Sequence, residues 1–258
     1  MLELTNISKT FNIGDINEER LFHKLSLKVN KGDFICILGS NGAGKSTLLN
    51  IISGKLGIDR GRIILNNSDI TKETESLRCQ KISRIFQDPA LGTVPSMTIR
   101  ENLSMALNKG KSFDFSFLVN KKNESLFNEL LKVLDLGLEE KLDSVVSKLS
   151  GGQRQSLALI MSTLTDPNLL LLDEHTAALD PKTSEIVMGI TSNIIVDKNL
   201  TALMVTHNIE HAIKYGNRLI MIHRGEVLID VEGEEKNNLT KEKLLSLFKD
   251  VSDRSLFS

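Results

Sequence analysis

The chain has 258 residues, of which 40% are hydrophobic and 25% are charged, and its formal net charge at pH 7 is -1. This composition is ordinary for a globular protein with a sizeable core, and the charge gives no electrostatic footprint for nucleic acid or an acidic membrane surface. No uncharged apolar run approaches the roughly 20 residues of a membrane span, and the first residues lack the basic-then-apolar pattern of a secretory signal.

The first third of the chain predicts strands of two kinds. Leu2–Ile7 and Leu25–Val29 alternate apolar and polar residues, as half-buried strands do, with a polar hairpin loop over residues 12–20 between them. Phe34–Leu38 is uniformly apolar, which is typical of a strand buried on both faces, and Arg62–Leu65 is a further short strand. We therefore expect a parallel core sheet flanked by an antiparallel one.

Residues 95–148 change character, because apolar residues now recur at helical spacing over Ile99–Leu107 and Leu126–Leu136. We predict an α-helical subdomain, about residues 90–150, inserted into the α/β core. Phe113, Phe115 and Phe117 lie between the two helices. We expect them to be buried, with a partner-docking surface as the alternative.

The α/β pattern resumes after Ser150. The expected elements are a helix over Gly152–Leu164, a strand over Leu169–Leu172, a helix from Asp180-Pro181 to about Val196, a strand over Thr201–Val205, a hairpin of Arg218–His223 with Glu226–Val231, and a helix over Lys241–Phe248 capped by Thr240. We predict one α/β domain over residues 1–232 and a helical tail over residues 233–258.

A glycine-rich loop of the form G-x-x-x-x-G-K-[ST] follows the Phe34–Leu38 strand and precedes a predicted helix. Its residues are Gly39, Ser40, Asn41, Gly42, Ala43, Gly44, Lys45, Ser46 and Thr47. Glycines let backbone N–H groups point inward, and the positive end of the helix dipole then faces an anion. Lys45 can reach the β- and γ-phosphates, and the Ser46 hydroxyl can hold Mg²⁺. The loop predicts a nucleoside triphosphate site, and a plain glycine turn is the alternative.

Two acidic residues, Asp173 and Glu174, end the apolar strand that begins at Leu169. This position at the carboxyl end of a strand places Asp173 beside a metal ion, directly or through water. Glu174 is then positioned to polarise an attacking water. Two solvated acids at a strand end are the alternative.

The pentapeptide Leu149-Ser150-Gly151-Gly152-Gln153 predicts a second helix N-terminus that an anion can approach. Ser150 is a good N-cap, and Gln153 completes a capping box. The two glycines allow close approach of a ligand. The residues alone leave open a capped helix with no ligand.

This pentapeptide resembles the signature motif of the ATP-binding cassette (ABC) ATPases, and the other motifs of that family follow in the expected order from about residue 2 to about residue 230. The resemblance implies the ABC ATPase fold. The loop at Gly39–Thr47 resembles Walker A, and Leu169–Asp173 resembles Walker B. Gln87 resembles the Q-loop glutamine, and Ala178-Leu179-Asp180 resembles the D-loop. His207 resembles the switch histidine, and Phe11 resembles the aromatic residue that stacks on adenine.

In this family two cassettes pack head to tail, so the resemblance implies that ATP lies between Lys45 of one subunit and Ser150 and Gly152 of the other. It further implies a role for each remaining motif residue: Glu174 as general base, Gln87 as a contact to Mg²⁺ that couples it to the helical subdomain, His207 as a contact to the γ-phosphate, and Asp180 as a bridge across the dimer.

One position departs from the family pattern. Proline usually follows the two acids, whereas this chain has His175. The substitution loses the fixed backbone angle of proline and adds a titratable group close to the expected γ-phosphate position. Because Glu174 and His207 are both present, we do not expect His175 to replace a catalytic group.

The resemblance favours the ATP-hydrolysing subunit of a membrane transporter, because the chain has one cassette and no membrane span. An importer is favoured over an exporter, since the segment before Ser150 does not resemble the exporter type. Residues 173–181 resemble a bacterial group paired with substrate-binding lipoproteins, some of whose relatives are linked to aromatic amino acids. The expected partners are a second copy of the cassette in a head-to-tail homodimer, permease subunits and an extracytoplasmic substrate-binding protein.

The expected location is the cytoplasmic face of the membrane. The two cysteines, Cys36 and Cys79, form no motif, which favours a reducing compartment. Non-transport ABC ATPases of iron–sulfur assembly, translation or DNA repair remain the alternative class at this point.

Overall fold

The structure is a computed structural model that describes residues 1–109 and 123–247. Phe113, Phe115 and Phe117, and the predicted end of the last helix at Phe248, lie outside the described residues. The chain divides into two units: the first comprises Met1–Cys79 and Thr201–Ser258, and the second comprises Gln80–Leu200. The domain boundary expected at residue 232 stays a prediction.

The strands, in chain order, are β1 Leu2–Phe11, β2 Glu19–Val29, β3 Phe34–Leu38, β4 Arg60–Leu65, β5 Ser68–Asp69, β6 Ile82–Ile85, β7 Leu169–Asp173, β8 Ala202–Val205, β9 Arg218–His223 and β10 Glu226–Glu232. The α-helices are α1 Lys45–Ser53, α2 Glu75–Arg78, α3 Ile99–Leu107, α4 Glu124–Lys132, α5 Gly151–Thr163, α6 Pro181–Asp197, α7 Ile209–Lys214 and α8 Gly233–Asn237. Residues 241–247 are also helical. None of the helices in the described ranges is long and apolar enough to cross a membrane.

The first unit contains an antiparallel sheet in the order β2-β1-β4-β5. Leu2 on β1 pairs with Val29 on one side and with Leu65 on the other. All three of these side chains are buried. The polar residues Glu3 and Thr5, which alternate with the buried residues of β1, are exposed. The alternation in sequence therefore identified the buried face of this sheet correctly.

The first unit also contains the central strand β3, which pairs in parallel with β8 on one side and with β9 on the other. Its five residues are buried on both faces, as their uniform apolarity predicted. β10 is antiparallel to β9. Arg224 and Gly225 form the turn between them, and both have positive φ, 46° and 80°, as a tight hairpin turn requires.

A buried lysine ties α8 to α7 within the same unit. The Lys236 ammonium donates hydrogen bonds to the carbonyl oxygens of Ile213 and Tyr215, at the end of α7. The Tyr215 carbonyl also accepts from the Cys36 thiol on β3, at 3.2 Å. A cation at a helix C-terminus satisfies carbonyls that have no partner within the helix.

In the second unit, β6 and β7 form a parallel pair with Ser83 opposite Leu170 and Ile85 opposite Leu172. Helix α5 packs against α3, α4 and α6. Thr98 and Glu101 form a capping box at the start of α3. The expected mixed α/β class, with an antiparallel sheet and helices between the motifs, is confirmed.

The structure moves several predicted boundaries. The helix expected to continue to Leu136 ends at Lys132, because Asp135 (φ 52°) and Gly137 (φ 63°) adopt left-handed conformations that a helix cannot accommodate. The strand expected from Leu25 begins at Glu19, because it pairs along the length of β1. Helices α7 and α8 have 6 and 5 residues and were not predicted, since so short a segment carries little periodicity.

Candidate functional site

The glycine-rich loop joins β3 to α1, as the motif predicted. Gly44 is the N-cap of α1, with φ 99°. A Cβ at this position would lie 2.8 Å from Cζ of Phe22, and a Cβ on Gly39 would lie 2.2 Å from the carbonyl oxygen of Ile222. Both positions therefore need glycine, because the loop is pressed against neighbouring backbone and side-chain atoms.

Lys45 lies inside this loop. Its ammonium donates hydrogen bonds to the carbonyl oxygens of Gly39 and Ser40, each at 2.9 Å, and only 5% of the residue is exposed. A buried cation is thus held at the N-terminus of α1, where the helix dipole is also positive. The loop concentrates positive potential at one point, which suits a polyanionic ligand.

His207 lies beside the first residues of the loop. It lines a pocket of about 250 Å³ together with the following residues: Leu38, Gly39, Ser40, Ile209, Met221, Leu244 and Leu245. The backbone at His207 is fixed on its C-terminal side by Asn208, whose side chain accepts from the N–H groups of Glu210 (2.9 Å) and His211 (3.1 Å) and caps α7. The structure therefore brings His207 and the loop together within the first unit.

Phe11 is the last residue of β1 and is half-buried. Lys9 lies over its ring, with the ammonium nitrogen 5.6 Å from the ring centroid. Its role as the adenine-stacking residue stays a prediction.

Asp173 ends β7 in the second unit and is paired with an arginine. Nη2 of Arg84 on β6 lies 2.6 Å from Oδ2 of Asp173, and the two side chains are 10% and 15% exposed. Sequence reasoning missed Arg84. The one signal was a charged residue inside a short strand that otherwise carries no charge, and nothing in the sequence pointed to its partner.

Glu174 directly follows β7 and has φ 47°, a left-handed conformation that is uncommon for a residue with a side chain. Its carbonyl oxygen accepts from the N–H of Ala177 at 2.9 Å, which closes a turn. Non-glycine residues in this region are held there by their surroundings and are frequent at functional sites. The left-handed backbone conformation of Glu174 is therefore one that its surroundings hold in place.

His175 is 2% exposed, so its ring is in the interior of the second unit. Its Nε2 lies 3.1 Å from Oγ1 of Thr191 on α6, and the Thr191 hydroxyl donates to the carbonyl of Val187 at 2.7 Å. Since a hydroxyl has a single hydrogen to give, His175 Nε2 is the donor to Thr191. The residue in the usual proline position thus anchors the turn after β7 to α6.

The predicted capping box at the start of α5 is present. Ser150 Oγ accepts from the N–H of Gln153 at 3.3 Å, and Gln153 Oε1 accepts from the N–H of Ser150 at 3.2 Å. A Cβ on Gly152 would lie 2.3 Å from Cγ2 of Thr183, and one on Gly151 would lie 3.1 Å from Cδ2 of Leu179. The two glycines therefore let the start of α5 approach the segment that precedes and begins α6.

Asp180 is the N-cap of α6, where its Oδ1 accepts from the N–H of Thr183 at 3.1 Å. The hydrogen bonds from Thr183 hold the pKa of the Asp180 carboxyl below its ordinary value. This carboxylate is charged at neutral pH and caps a helix, as Asp180-Pro181 predicted.

Gln87 is exposed at the end of the segment that follows β6. The residue before it, Phe86, accepts a hydrogen bond through its carbonyl from Nε2 of Gln155 on α5, at 3.3 Å. Sequence reasoning did not identify Gln155. Asp88, next along the chain, caps the 3-10 turn Pro89–Leu91. Gln87, Asp173, Glu174, Asp180 and Ser150–Gln153 belong to the second unit, and Lys45 and His207 belong to the first.

The sequence model of the ABC transporter family matches residues 22–177, which is more than half of the chain. Over 248 residues the chain is 53% identical to the tyrosine transport ATP-binding protein of Clostridioides difficile, and the match covers 96% of this chain and 98% of that protein. It is 34% identical to the phosphonates import ATP-binding protein of Treponema denticola, with 99% and 100% of the two chains covered.

Solved structures of ATP-binding cassettes have the same fold. The dimeric structure of a post-hydrolysis state bound to ADP and Pi gives a TM-score of 0.75 at 28% identity, over 90% of this chain and 98% of that one. A cassette of an ABC transporter in its ADP conformation gives a TM-score of 0.76 at 29% identity, over 96% and 98%.

The chain therefore belongs to the ABC transporter family and has the ABC ATPase fold. It is the ATP-binding subunit of a transporter, an enzyme that binds ATP and hydrolyses it for transport, and homologues of this kind work as dimers with permease subunits. Both of these sequence relatives are transport proteins, so iron–sulfur assembly, translation and DNA repair are not favoured.

Proposed function

We propose that this subunit energises the import of an aromatic amino acid, with tyrosine as the first candidate. The observation that carries the proposal is the 53% identity to a tyrosine transport ATP-binding protein over nearly the full length of both chains. The import direction is supported by the similarity to a phosphonates import ATP-binding protein. We place the subunit at the cytoplasmic face of a bacterial membrane, bound to a permease that receives substrate from an extracytoplasmic binding protein.

The nucleotide phosphates bind the loop at Gly39–Thr47. Lys45 exchanges its hydrogen bonds with the carbonyls of Gly39 and Ser40 for hydrogen bonds with the β- and γ-phosphates. The N–H groups at the start of α1 and the helix dipole add to this attraction. Because the lysine is already buried at this point, little side-chain entropy is lost when ATP binds.

The donor set suits Mg²⁺. This ion prefers oxygen ligands, and it is commonly held by one or two carboxylates together with substrate phosphates. Ser46 offers a hydroxyl, Asp173 a carboxylate and Gln87 an amide oxygen. Within residues 1–109 and 123–247 no three His, Cys, Asp or Glu side chains form a metal-holding group. When bound, Mg²⁺ neutralises charge on the phosphates.

Hydrolysis uses Glu174 as general base on the attacking water. Glu174 has a left-handed backbone conformation, and the next residue, His175, is anchored to Thr191. Together these two features fix the direction in which the Glu174 side chain extends. His207 contacts the γ-phosphate and holds the attacking geometry. Phe11 stacks on the adenine.

A second cassette completes the site. Ser150, Gly151, Gly152 and Gln153 of one subunit meet the nucleotide bound to the other, and the start of α5 offers its capped N-terminus to the γ-phosphate. Asp180 lies across the same interface. A homologous cassette is dimeric in its solved structure with ADP and Pi. Closure of the dimer on ATP then drives the permease.

The proposal is tested by uptake of radiolabelled tyrosine into proteoliposomes that contain the subunit and its permease subunits, with ATP inside and the substrate-binding protein outside. We expect ATP-dependent uptake that unlabelled phenylalanine or tryptophan reduces more than leucine does. Lys45→Ala is the matched inactive control. Uptake of a different substrate class with full ATPase activity contradicts the aromatic assignment but leaves the transporter assignment intact.

A further inference from the structure

We propose that Arg84 is a positioning residue for the Mg²⁺-facing carboxylate of Asp173. The inference deepens the proposed function, because it rests on the role of Asp173 toward the metal. It assigns a function to a residue that no sequence motif includes.

The register of β6 and β7 places Arg84 near Asp173. Arg84 lies opposite Leu171 in the parallel pair of β6 and β7, and Asp173 is two residues beyond Leu171. Because side chains alternate along a strand, Asp173 and Leu171 point to the same face of the sheet, and so does Arg84. The arginine side chain then reaches along that face to the carboxylate, where Nη2 and Oδ2 are 2.6 Å apart.

Arg84 is itself held from a second direction. Its guanidinium carbon lies 4.9 Å from the centroid of the Phe86 ring, in cation–π contact. With only 10% of the side chain exposed, few alternative rotamers are open to it. The arginine therefore offers a fixed donor, and a fixed donor orients the carboxylate that it binds.

The ion pair is partly buried on both sides, at 10% and 15% exposure. Removing one member of such a pair takes away charge compensation from the other. Groups that orient a metal ligand through hydrogen bonds typically change metal affinity by about 10- to 100-fold when they are lost. We therefore expect Arg84 to strengthen Mg²⁺ binding by holding Asp173 in place.

A competing effect has the opposite sign. Arg84 is a cation close to the expected metal position, so its removal would also reduce repulsion and tighten Mg²⁺ binding. If charge alone mattered, neutral substitutions at this position would lower the Mg²⁺ requirement. The direction of the change therefore decides between positioning and simple charge competition.

The experiment measures binding of a fluorescent ATP analogue to the purified full chain as MgCl₂ is titrated, and binding of Mn²⁺ by electron paramagnetic resonance. For Arg84→Met we expect the Mg²⁺ midpoint to rise about 10-fold, while nucleotide binding in EDTA stays within about twofold. Arg84→Lys, which keeps the charge and N–H donors but loses the planar guanidinium geometry, should recover part of the affinity.

Arg100→Met is the matched control. Arg100 is another arginine of the second unit, 12% exposed, and its partners Glu124 and Asp143 are 45% and 80% exposed. Its loss therefore removes a largely buried, charge-paired arginine that does not contact Asp173. Arg84→Gln keeps amide donors and serves if the methionine variant does not fold. An unchanged or lower Mg²⁺ midpoint in a folded Arg84 variant overturns the inference.

The experiment can contradict the role of Asp173 and the role of Arg84 separately. A wild-type chain whose nucleotide binding does not depend on Mg²⁺ contradicts the proposed role of Asp173. A wild-type chain that does depend on Mg²⁺, together with Arg84 variants that match it, contradicts only the role of Arg84.

Discussion

Gln155 on α5 donates a hydrogen bond from Nε2 to the carbonyl oxygen of Phe86, at 3.3 Å. The glutamine is 1% exposed. Its other terminal atom, Oε1, is buried and has no hydrogen-bond partner among residues 1–109 and 123–247. The helix that begins with the signature residues is therefore tied by one buried side chain to the residue immediately before Gln87. This hydrogen bond is a direct physical link between α5 and the segment that contains Gln87.

Gln155→Leu should separate stability from turnover. The substitution leaves the Phe86 carbonyl without its donor, which costs about 1 kcal/mol, but it also removes the unpartnered Oε1, so the net loss of unfolding free energy should be small. We expect a several-fold fall in kcat with nearly unchanged ATP affinity, measured by steady-state hydrolysis and fluorescent-nucleotide binding. Thr163→Val, at the other end of α5 and also buried, is the control. Equal losses in both variants would show that the effect is structural only.

Glu174→Gln should trap an ATP-bound dimer. The amide keeps the shape of the carboxylate but does not accept the proton of the attacking water. We expect turnover to fall by about 10²-fold or more, and light scattering to show a dimer with Mg-ATP and a monomer without nucleotide. A monomer in the presence of Mg-ATP would contradict the proposed mechanism.

His175→Pro should preserve catalysis and weaken the fold. The substitution removes the buried hydrogen bond to Thr191, at a cost of about 1 to 2 kcal/mol, while Glu174 and His207 remain. ATPase activity at 25 °C should stay within a few-fold of wild type, and the Tm should fall. Thr191→Val, which removes the same hydrogen bond from the other side, should lower the Tm to a similar extent. Near-complete loss of turnover with intact ATP binding would show that His175 acts in catalysis.

Cys36 should make the protein less stable at alkaline pH. Burial raises the pKa of this thiol from 9.0 to about 12. Above pH 9 the thiol ionises in the unfolded chain but stays protonated in the folded one. Ionisation therefore lowers the free energy of the unfolded state alone, and stability falls until pH reaches the folded pKa. At pH 10 this loss is about 1.4 kcal/mol.

The measurement is urea unfolding of wild type and Cys36→Ala at pH 8 and pH 10 under reducing conditions. The alanine variant loses packing at both pH values. Its loss of unfolding free energy between pH 8 and pH 10 should be about 1.4 kcal/mol smaller than the loss in wild type. Cys79→Ala, which removes the half-buried thiol, controls for the loss of a cysteine. Equal pH dependence in wild type and Cys36→Ala would show that the buried thiol does not contribute.

Local pattern was enough to predict much of the fold. The uniform apolarity of Phe34–Leu38 indicated the central strand, and the apolar spacing of Ile99–Leu107 indicated a helix with the observed bounds. The helix expected to reach Leu136 was extended too far, because the left-handed residues after Lys132 are not apparent from apolar spacing. The short helices were missed because packing, rather than periodicity, stabilises them.

The candidate site was predictable only in part. Motif residues such as Lys45 and Glu174 were recognised because their chemistry is tied to short fixed spacings. The hydrogen bonds of Arg84 and Gln155 reach partners 89 and 69 residues away in sequence. Such pairs are created by strand register and helix packing, which a single sequence does not display. The buried hydrogen bond of His175 was missed for the same reason.

The contacts of Lys236 limit how far the C-terminal segment can be truncated. Its ammonium closes the carboxyl end of α7, the helix that begins two residues after His207. A truncation after residue 232 would discard this lysine and expose the carbonyls of Ile213 and Tyr215, although every recognised motif would remain. The segment after β10 therefore stabilises the first unit from outside the motifs, and shortened versions of the protein should retain it.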